Sequence, residues 1–157
     1  MTLEDASFFL RLLNEPSWLA NIGDRGVRTV ADAERYIRNN IWAPYQTHGF
    51  GLYAVQLRSH AAPIGLCGLV QRDFLPAPDL GFALLPECCG HGYATEAARA
   101  ITSHAQVELG IGRLYAIVQH GNERSVRLLE RLGFRADASG AAPPGLEAGV
   151  GLYQLRA

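Results

Sequence analysis

The sequence predicts an α+β fold in which helices flank a mixed, mostly antiparallel central sheet. Two amphipathic helical stretches come first, and three strand-like runs separated by turns follow them. Helix, strand, helix and two further strands then alternate up to residue 155. This order, αα-βββ-α-β-α-ββ, predicts one mixed α+β domain that spans residues 1–157.

Both N-terminal helices are predicted from a capping threonine followed by apolar residues at helical spacing. The first begins after Thr2, carries an acidic residue at the next capping position, and ends at Asn14. The second begins after Thr29 and continues to about Tyr45. The stretch between them, Ser17–Arg28, contains two glycines and is predicted to be a loop that includes a turn of helix.

Three strands are predicted between residues 50 and 85. Phe50–Leu57 and Ile64–Gln71 form a pair across a short turn, and two prolines mark the turn that follows. Asp79 then opens a third strand, whose side chains alternate between two faces as far as Leu85. These runs account for the antiparallel part of the sheet.

The third strand leads into a glycine turn and then into a long helix. Pro86 ends the strand because proline has no N–H group to donate. Gly90 and Gly92 leave a bare backbone that a ligand can approach closely. Apolar residues at helical spacing then extend over Ala94–Leu109. Free N–H groups and the positive end of the helix dipole converge here, so the sequence predicts an anion-binding site.

The remaining elements complete the sheet. Leu114–Gln119 is mostly apolar, as expected of a strand that is buried on both faces. Asn122 is placed to cap a short helix. Phe134–Ala138 is predicted to be a strand and Ser139–Glu147 a loop rich in glycine, proline and alanine. Val150–Leu155 would then close the sheet as an antiparallel partner.

Composition excludes several classes of function. The chain has 157 residues and a net charge of −1, without a basic run, so we expect no nucleic-acid partner. It contains neither an apolar run long enough to span a bilayer nor a signal peptide, so we expect a cytoplasmic protein without a membrane partner. Three cysteines, two of them adjacent, predict neither a disulfide framework nor a zinc site, and we expect no metal. Cys67 is predicted to be a buried core residue.

Two common anion-binding loops do not fit the glycine turn. A Walker A loop needs a lysine, and this chain contains none. A dinucleotide-binding fingerprint needs a third glycine where Thr95 stands, and it belongs to an early βαβ unit.

The run Cys89–Ala94 instead resembles the acetyl-CoA loop of the GNAT superfamily of N-acetyltransferases. The surrounding Leu80–Thr95 is similar to the branch that contains ribosomal-protein N-terminal acetyltransferases. A second matching motif, Asn122–Phe134, follows at the right spacing, and the resemblance covers Phe50–Phe134 well.

The resemblance implies a splayed sheet that holds acetyl-CoA as co-substrate. Backbone groups of Ala83, Leu84 and Leu85 are expected to bind the pantetheine amides. The residues expected to hold the pyrophosphate through backbone N–H groups are Cys89, Gly90, His91, Gly92, Tyr93, Ala94 and Thr95, and Asn122 also faces the cofactor. Members of the family usually begin with a strand before the first helix. Here that edge strand is either absent or removed by a truncated start.

Three residues are candidates for the chemistry. In the ribosomal-protein branch a serine at the position of Ser125 is the proposed acid toward the departing thiolate, and Leu129 stands where other branches have tyrosine. Asp79 is either a turn residue or a base acting through water. His120, in the loop before Asn122, is either a base or a solvated loop residue. A covalent role for Cys89 is excluded because the family transfers the acetyl group directly.

The predicted reaction is acetyl transfer from acetyl-CoA to a primary amine in a ternary complex. An α-amino group costs roughly 1 kcal/mol to deprotonate at pH 7 and a lysine side chain about 4–5 kcal/mol, which favours a peptide or protein N-terminus or a small amine. A catalytically silent acyl-CoA sensor or interaction protein is the alternative, since no strong base is evident. The acceptor is expected to be selected by the Ser17–Arg28 and Ser139–Glu147 loops, in a monomer or a homodimer.

Overall fold

The computed structural model describes residues 1–137 and 143–156. A 3₁₀ turn capped by Thr2 begins the chain, and a second threonine, Thr29, caps a longer helical segment with the predicted capping box. The N-terminal elements are the 3₁₀ turn Leu3–Asp5, α1 (Ala6–Leu13), α2 (Pro16–Asn21), α3 (Val30–Tyr36), a π-helical stretch (Ile37–Trp42) and α4 (Ala43–His48).

Six strands form one open sheet in the order β1-β2-β3-β4-β6-β5. The strands are β1 (Leu52–Gln56), β2 (Pro63–Val70), β3 (Asp79–Leu84), β4 (Arg113–Gln119), β5 (Arg135–Ala136) and β6 (Val150–Arg156). All neighbours pair antiparallel except β3 and β4, which are parallel and are joined through the helix α5 (Tyr93–Val107). The helix α6 (Glu123–Arg131) follows β4. The predicted mixed, mostly antiparallel α+β fold is confirmed.

Two apolar cores lie on opposite faces of the sheet. The first joins α1, α3 and the π-helical stretch to Leu66 of β2 and to Leu85, the residue after β3, and it contains the fully buried Phe9. The second joins α5 and α6 to residues such as Cys67, and it contains the fully buried Phe134. Adjacent residues of β2 therefore serve different cores, because successive side chains in a strand point to opposite faces.

The structure corrects the predicted N-terminal helices in two places. A six-residue helix begins at Pro16, one residue before the stretch predicted as a loop with a turn of helix, since proline is preorganised for the first helical position and Trp18 anchors the helix in the core. The second helix runs on to His48 through a π-helical stretch. In that stretch the indole N–H of Trp42 donates to the carbonyl oxygen of Met1 at 3.1 Å, a tertiary contact that apolar periodicity does not reveal.

The C-terminal strands also differ from their predicted bounds. β5 is a two-residue strand, and Ala138, the last residue predicted for it, lies outside the described residues. The first part of the predicted loop Ser139–Glu147 lies outside them as well. Across the ranges 1–137 and 143–156 no helix is both long and apolar enough to cross a membrane. The same ranges contain no group of three or more side chains that could hold a metal ion.

Candidate active site

A wedge opens between the parallel strands β3 and β4. The two strands pair only at Asp79 and Tyr115, where the Tyr115 N–H donates to the carbonyl oxygen of Pro78 at 2.9 Å. Beyond that point β3 continues to pair with β2 and β4 with β6, but the two strands no longer pair with each other. The carboxyl ends of β3 and β4 therefore present unpaired backbone groups to a shared cleft.

Backbone alternation decides which residues of β3 face the wedge. The Leu85 N–H donates to the carbonyl oxygen of Ile64 at 2.9 Å, so the backbone of Leu85 is directed at the β2 side. Alternate residues of an antiparallel strand direct their backbone groups to the same side, which places those of Ala83 toward β2 and those of Phe82 and Leu84 toward the wedge. The backbone groups of Ala83 and Leu85 are thus directed at β2, so Leu84 is the one of the three predicted pantetheine contacts whose backbone faces the wedge, and Phe82 faces it as well.

The glycine loop lies at the end of β3, where the wedge is open. Gly90 and Gly92 have φ angles of +88° and +87°, a backbone conformation that strongly favours glycine. Gly92 is the N-cap of α5 and supplies no side-chain cap, so the first N–H groups of this 15-residue helix have no side-chain acceptor. A Cβ at Gly92 would meet no atom within 4 Å. The loop therefore offers open space above free donors and a positive dipole end.

The loop side chains take little part in that arrangement. His91 is exposed, and its ring stacks on Tyr93 with centroids 5.5 Å apart and planes 15° apart. The Cys89 thiol is half-buried, and its Sγ lies 3.5 Å from the Leu85 carbonyl oxygen. Cys89 precedes α5 by four residues rather than standing in its first turn. An anion in the loop would therefore meet mainly backbone groups, including those of Ala94 and Thr95.

The second motif begins at the carboxyl end of β4. Asn122 caps α6, and its Oδ1 accepts the Ser125 N–H at 3.2 Å. The Ser125 side chain is half-buried, and no group in the described part of the chain forms a hydrogen bond with its hydroxyl. Leu129, one turn later, is fully buried in the second core. The Ser125 hydroxyl is thus available to a ligand, whereas position 129 is not.

Asp79 stands where the wedge closes and is bound by Arg72. The Arg72 Nε lies 2.9 Å from one carboxylate oxygen and its Nη2 3.4 Å from the other, while Asp79 is only 2% exposed. Burial raises the pKa of the Asp79 carboxyl, and the charge and hydrogen bonds of Arg72 oppose that rise. The carboxyl is thus held by protein groups rather than directed freely into the cleft.

His120 is not brought into the wedge. Its backbone N–H donates to the Gly149 carbonyl oxygen at 2.7 Å, and its exposed ring would lie 3.9 Å from a Cβ placed on Gly151 of β6. β6 pairs with the edge of β4 opposite to β3, so the imidazole lies on the far side of β4 from the wedge. Of the three predicted catalytic side chains, Asp79 lies where the wedge closes, Ser125 lies in the first turn of the helix that follows β4, and His120 lies on the β6 side of β4.

The parallel pair thus splays toward a glycine loop whose helix N-terminus has no side-chain cap. The family model described as "Acetyltransferase (GNAT) domain" matches residues 1–135 of the 157, and the chain therefore belongs to the GNAT acetyltransferase family. The chain is also 25% identical over 134 residues to the uncharacterized protein YkkB of Bacillus subtilis, covering 83% of this chain and 75% of that protein.

Solved structures share the fold at low sequence identity. An acetyltransferase from Agrobacterium tumefaciens str. C58 has a TM-score of 0.83 at 22% identity, covering 100% of this chain and 88% of that one. RimL, a ribosomal L7/L12 alpha-N-protein acetyltransferase solved in complex with coenzyme A, has a TM-score of 0.80 at 16% identity, covering 99% and 90%. Both likenesses confirm the predicted fold.

Proposed function

We propose that this protein transfers an acetyl group from acetyl-CoA directly to a primary amine. The observation that carries the proposal is the wedge, because the backbone hydrogen-bonding groups along it follow the order of the chemical groups along coenzyme A. Backbone groups of Phe82 and Leu84 suit the pantetheine amides, and the loop around Gly92 suits the pyrophosphate. Membership of the GNAT family also supports acetyl-CoA as the acetyl donor. The RimL structure that shares this fold contains coenzyme A.

Ser125 is the proposed acid toward the thiolate that leaves when the new amide bond forms. Its N–H is held by the cap residue Asn122, which fixes the first turn of α6 against the end of β4. The hydroxyl has no other described partner, so it is free to donate to the sulfur. The N-terminal end of α6 also favours negative charge that develops there.

Deprotonation of the amine falls mainly to water and to the acceptor's own pKa. His120 is turned toward β6, so it does not serve as the base. Asp79 is held by Arg72. Because burial raises the pKa of the Asp79 carboxyl, a role as a base acting through water is still proposed for it. An α-amino group is roughly 1 kcal/mol from its neutral form at pH 7, and a lysine side chain about 4–5 kcal/mol. The proposed acceptor is therefore a peptide or protein N-terminus, or a small amine of low pKa.

Release of free thiol from acetyl-CoA tests the proposal. The purified protein is incubated with acetyl-CoA and pairs of peptides, each pair identical except that one member has a blocked α-amino group. Turnover with the free N-terminus and none with the blocked member supports the proposal. Turnover that needs a lysine side chain would contradict the acceptor assignment. Tight binding of acetyl-CoA without turnover on any peptide or small amine would contradict the activity.

The cytoplasmic location expected from the sequence stays a prediction.

A further inference from the structure

An arginine from the second motif reaches over the glycine loop. The nearest atom to a Cβ placed on Gly90 is the Nη2 of Arg124, at 4.0 Å. Arg124 lies in the first turn of α6, whereas Gly90 lies in the turn before α5. The two helices follow the two strands of the wedge, so this guanidinium spans the mouth of the cleft at the end where the loop donors converge.

Arg124 is also free to bind an anion. It is exposed, and no carboxylate in the described part of the chain pairs with it. Its neighbour Arg127 differs, because the Arg127 Nη1 lies 2.9 Å from a carboxylate oxygen of Glu123. Of the first two arginines of this helix, Arg127 is thus neutralised by its own helix, whereas Arg124 faces the loop without a counter-ion in the described part of the chain.

The charge around the loop explains why a side-chain cation is needed there. Glu96 lies in the first turn of α5 and already places a negative charge near the positive end of the dipole. A phosphate brought to the loop therefore meets a like charge as well as the free N–H groups. A guanidinium offsets that charge and can form two parallel hydrogen bonds to phosphate oxygens.

Resting on the proposed function, we infer that Arg124 binds a phosphate group of coenzyme A and closes the mouth of the wedge over the cofactor. The ligand class is a phosphate ester or pyrophosphate, and coenzyme A offers both. The expected consequence is affinity for the phosphorylated cofactor that depends on this side chain, without any contribution to the stability of the free protein. The role does not require Arg124 to touch the thioester, so kcat at saturating acetyl-CoA should be unchanged.

Calorimetry with three probes tests the inference: coenzyme A, dephospho-coenzyme A and acetyl-pantetheine. Arg124→Ala should raise the Kd for coenzyme A by about 10-fold, as expected for the loss of an exposed charge-assisted hydrogen bond, and leave acetyl-pantetheine binding unchanged. Arg124→Lys should give an intermediate Kd, because it keeps the charge and loses the fork. Arg127→Ala is the matched control, and it should leave the Kd within 2-fold of the wild type.

Comparison of coenzyme A with dephospho-coenzyme A shows which phosphate Arg124 binds. An equal loss of affinity for coenzyme A and dephospho-coenzyme A assigns Arg124 to the pyrophosphate, and a loss for coenzyme A alone assigns it to the 3′-phosphate; both support the inference. An equal loss for acetyl-pantetheine, or an equal effect of Arg127→Ala, overturns it. If the wild type binds coenzyme A and Arg124→Ala binds it equally well, only this inference fails. If the wild type does not bind coenzyme A, the proposed function fails and the inference fails with it.

Discussion

Replacing Arg72 by methionine should destabilise the protein in a pH-dependent way. The substitution keeps most of the aliphatic length and removes both donors to the Asp79 carboxylate, which lie at 2.9 and 3.4 Å. Breaking a buried ion pair by removing one partner costs about 3–5 kcal/mol. Because 35% of the Arg72 side chain is exposed, solvent screens part of that loss, and we expect about 2–3 kcal/mol at pH 7.

The pH dependence follows from the raised pKa of Asp79. Because of burial, the Asp79 carboxyl keeps its proton to higher pH in the folded state than in the unfolded state. Its contribution to the free energy of unfolding is therefore complete below the unfolded pKa, near 3.8, and is lost as the pH rises through the folded pKa. Without Arg72 the folded pKa rises further. The difference in unfolding free energy between Arg72→Met and the wild type should therefore be smallest in acid and largest near neutral pH.

Urea unfolding at several pH values measures this difference. At pH 7 the midpoint of Arg72→Met should fall by about 1–2 M, given the usual urea dependence for a domain of this size. Arg58→Met is the control, because Arg58 is exposed in the preceding hairpin turn and has no partner in the described part of the chain. Equal losses in the two variants, or a loss in Arg72→Met that does not change with pH, would refute the assigned role of the ion pair.

Three further predictions test the cofactor loop, the acid and the core. Gly92→Ala should weaken coenzyme A binding more than Gly110→Ala in calorimetry, since both residues have positive φ and open space but only Gly92 faces the loop donors; equal losses would mean that strain alone acts. Ser125→Ala should lower kcat about 10–100-fold with little change in KM for acetyl-CoA, and unchanged kcat in steady-state assays removes it from the mechanism. Burial raises the pKa of the Cys67 thiol to about 12, so a thiol reagent should titrate only the other two cysteines until urea unfolds the protein.

Local patterns predicted most of the fold because they reflect local physics. Thr2 and Thr29 form capping boxes as their sequence context predicted, and Asn122 caps its helix through the expected side-chain oxygen. Alternation and turn residues placed β1 to β4 within two residues of their observed bounds. The π-helical stretch was not predictable in this way, since it depends on tertiary contacts such as that between Trp42 and Met1.

The site was predicted less completely, for two physical reasons. Which backbone groups face the wedge depends on the hydrogen-bonding register with β2, and apolar alternation along β3 reports side-chain faces only. The sequence therefore could not distinguish Phe82 and Leu84 from Ala83 and Leu85. The partner of Asp79 was missed because Arg72 precedes it by seven residues, across a turn whose path local patterns do not predict.

The division between backbone and side-chain contacts explains why the acetyl donor is easier to infer from the sequence than the amine acceptor. The proposed contacts to coenzyme A come largely from main-chain groups, so they constrain conformation, through Gly90, Gly92 and the splay at Asp79, more than side-chain identity. Such constraints leave short motifs that can be read in a single sequence. Acceptor selection is instead expected to depend on side chains of the Ser17–Arg28 and Ser139–Glu147 loops. Loop side chains vary freely with substrate, so the acceptor must be identified by assay rather than by motif.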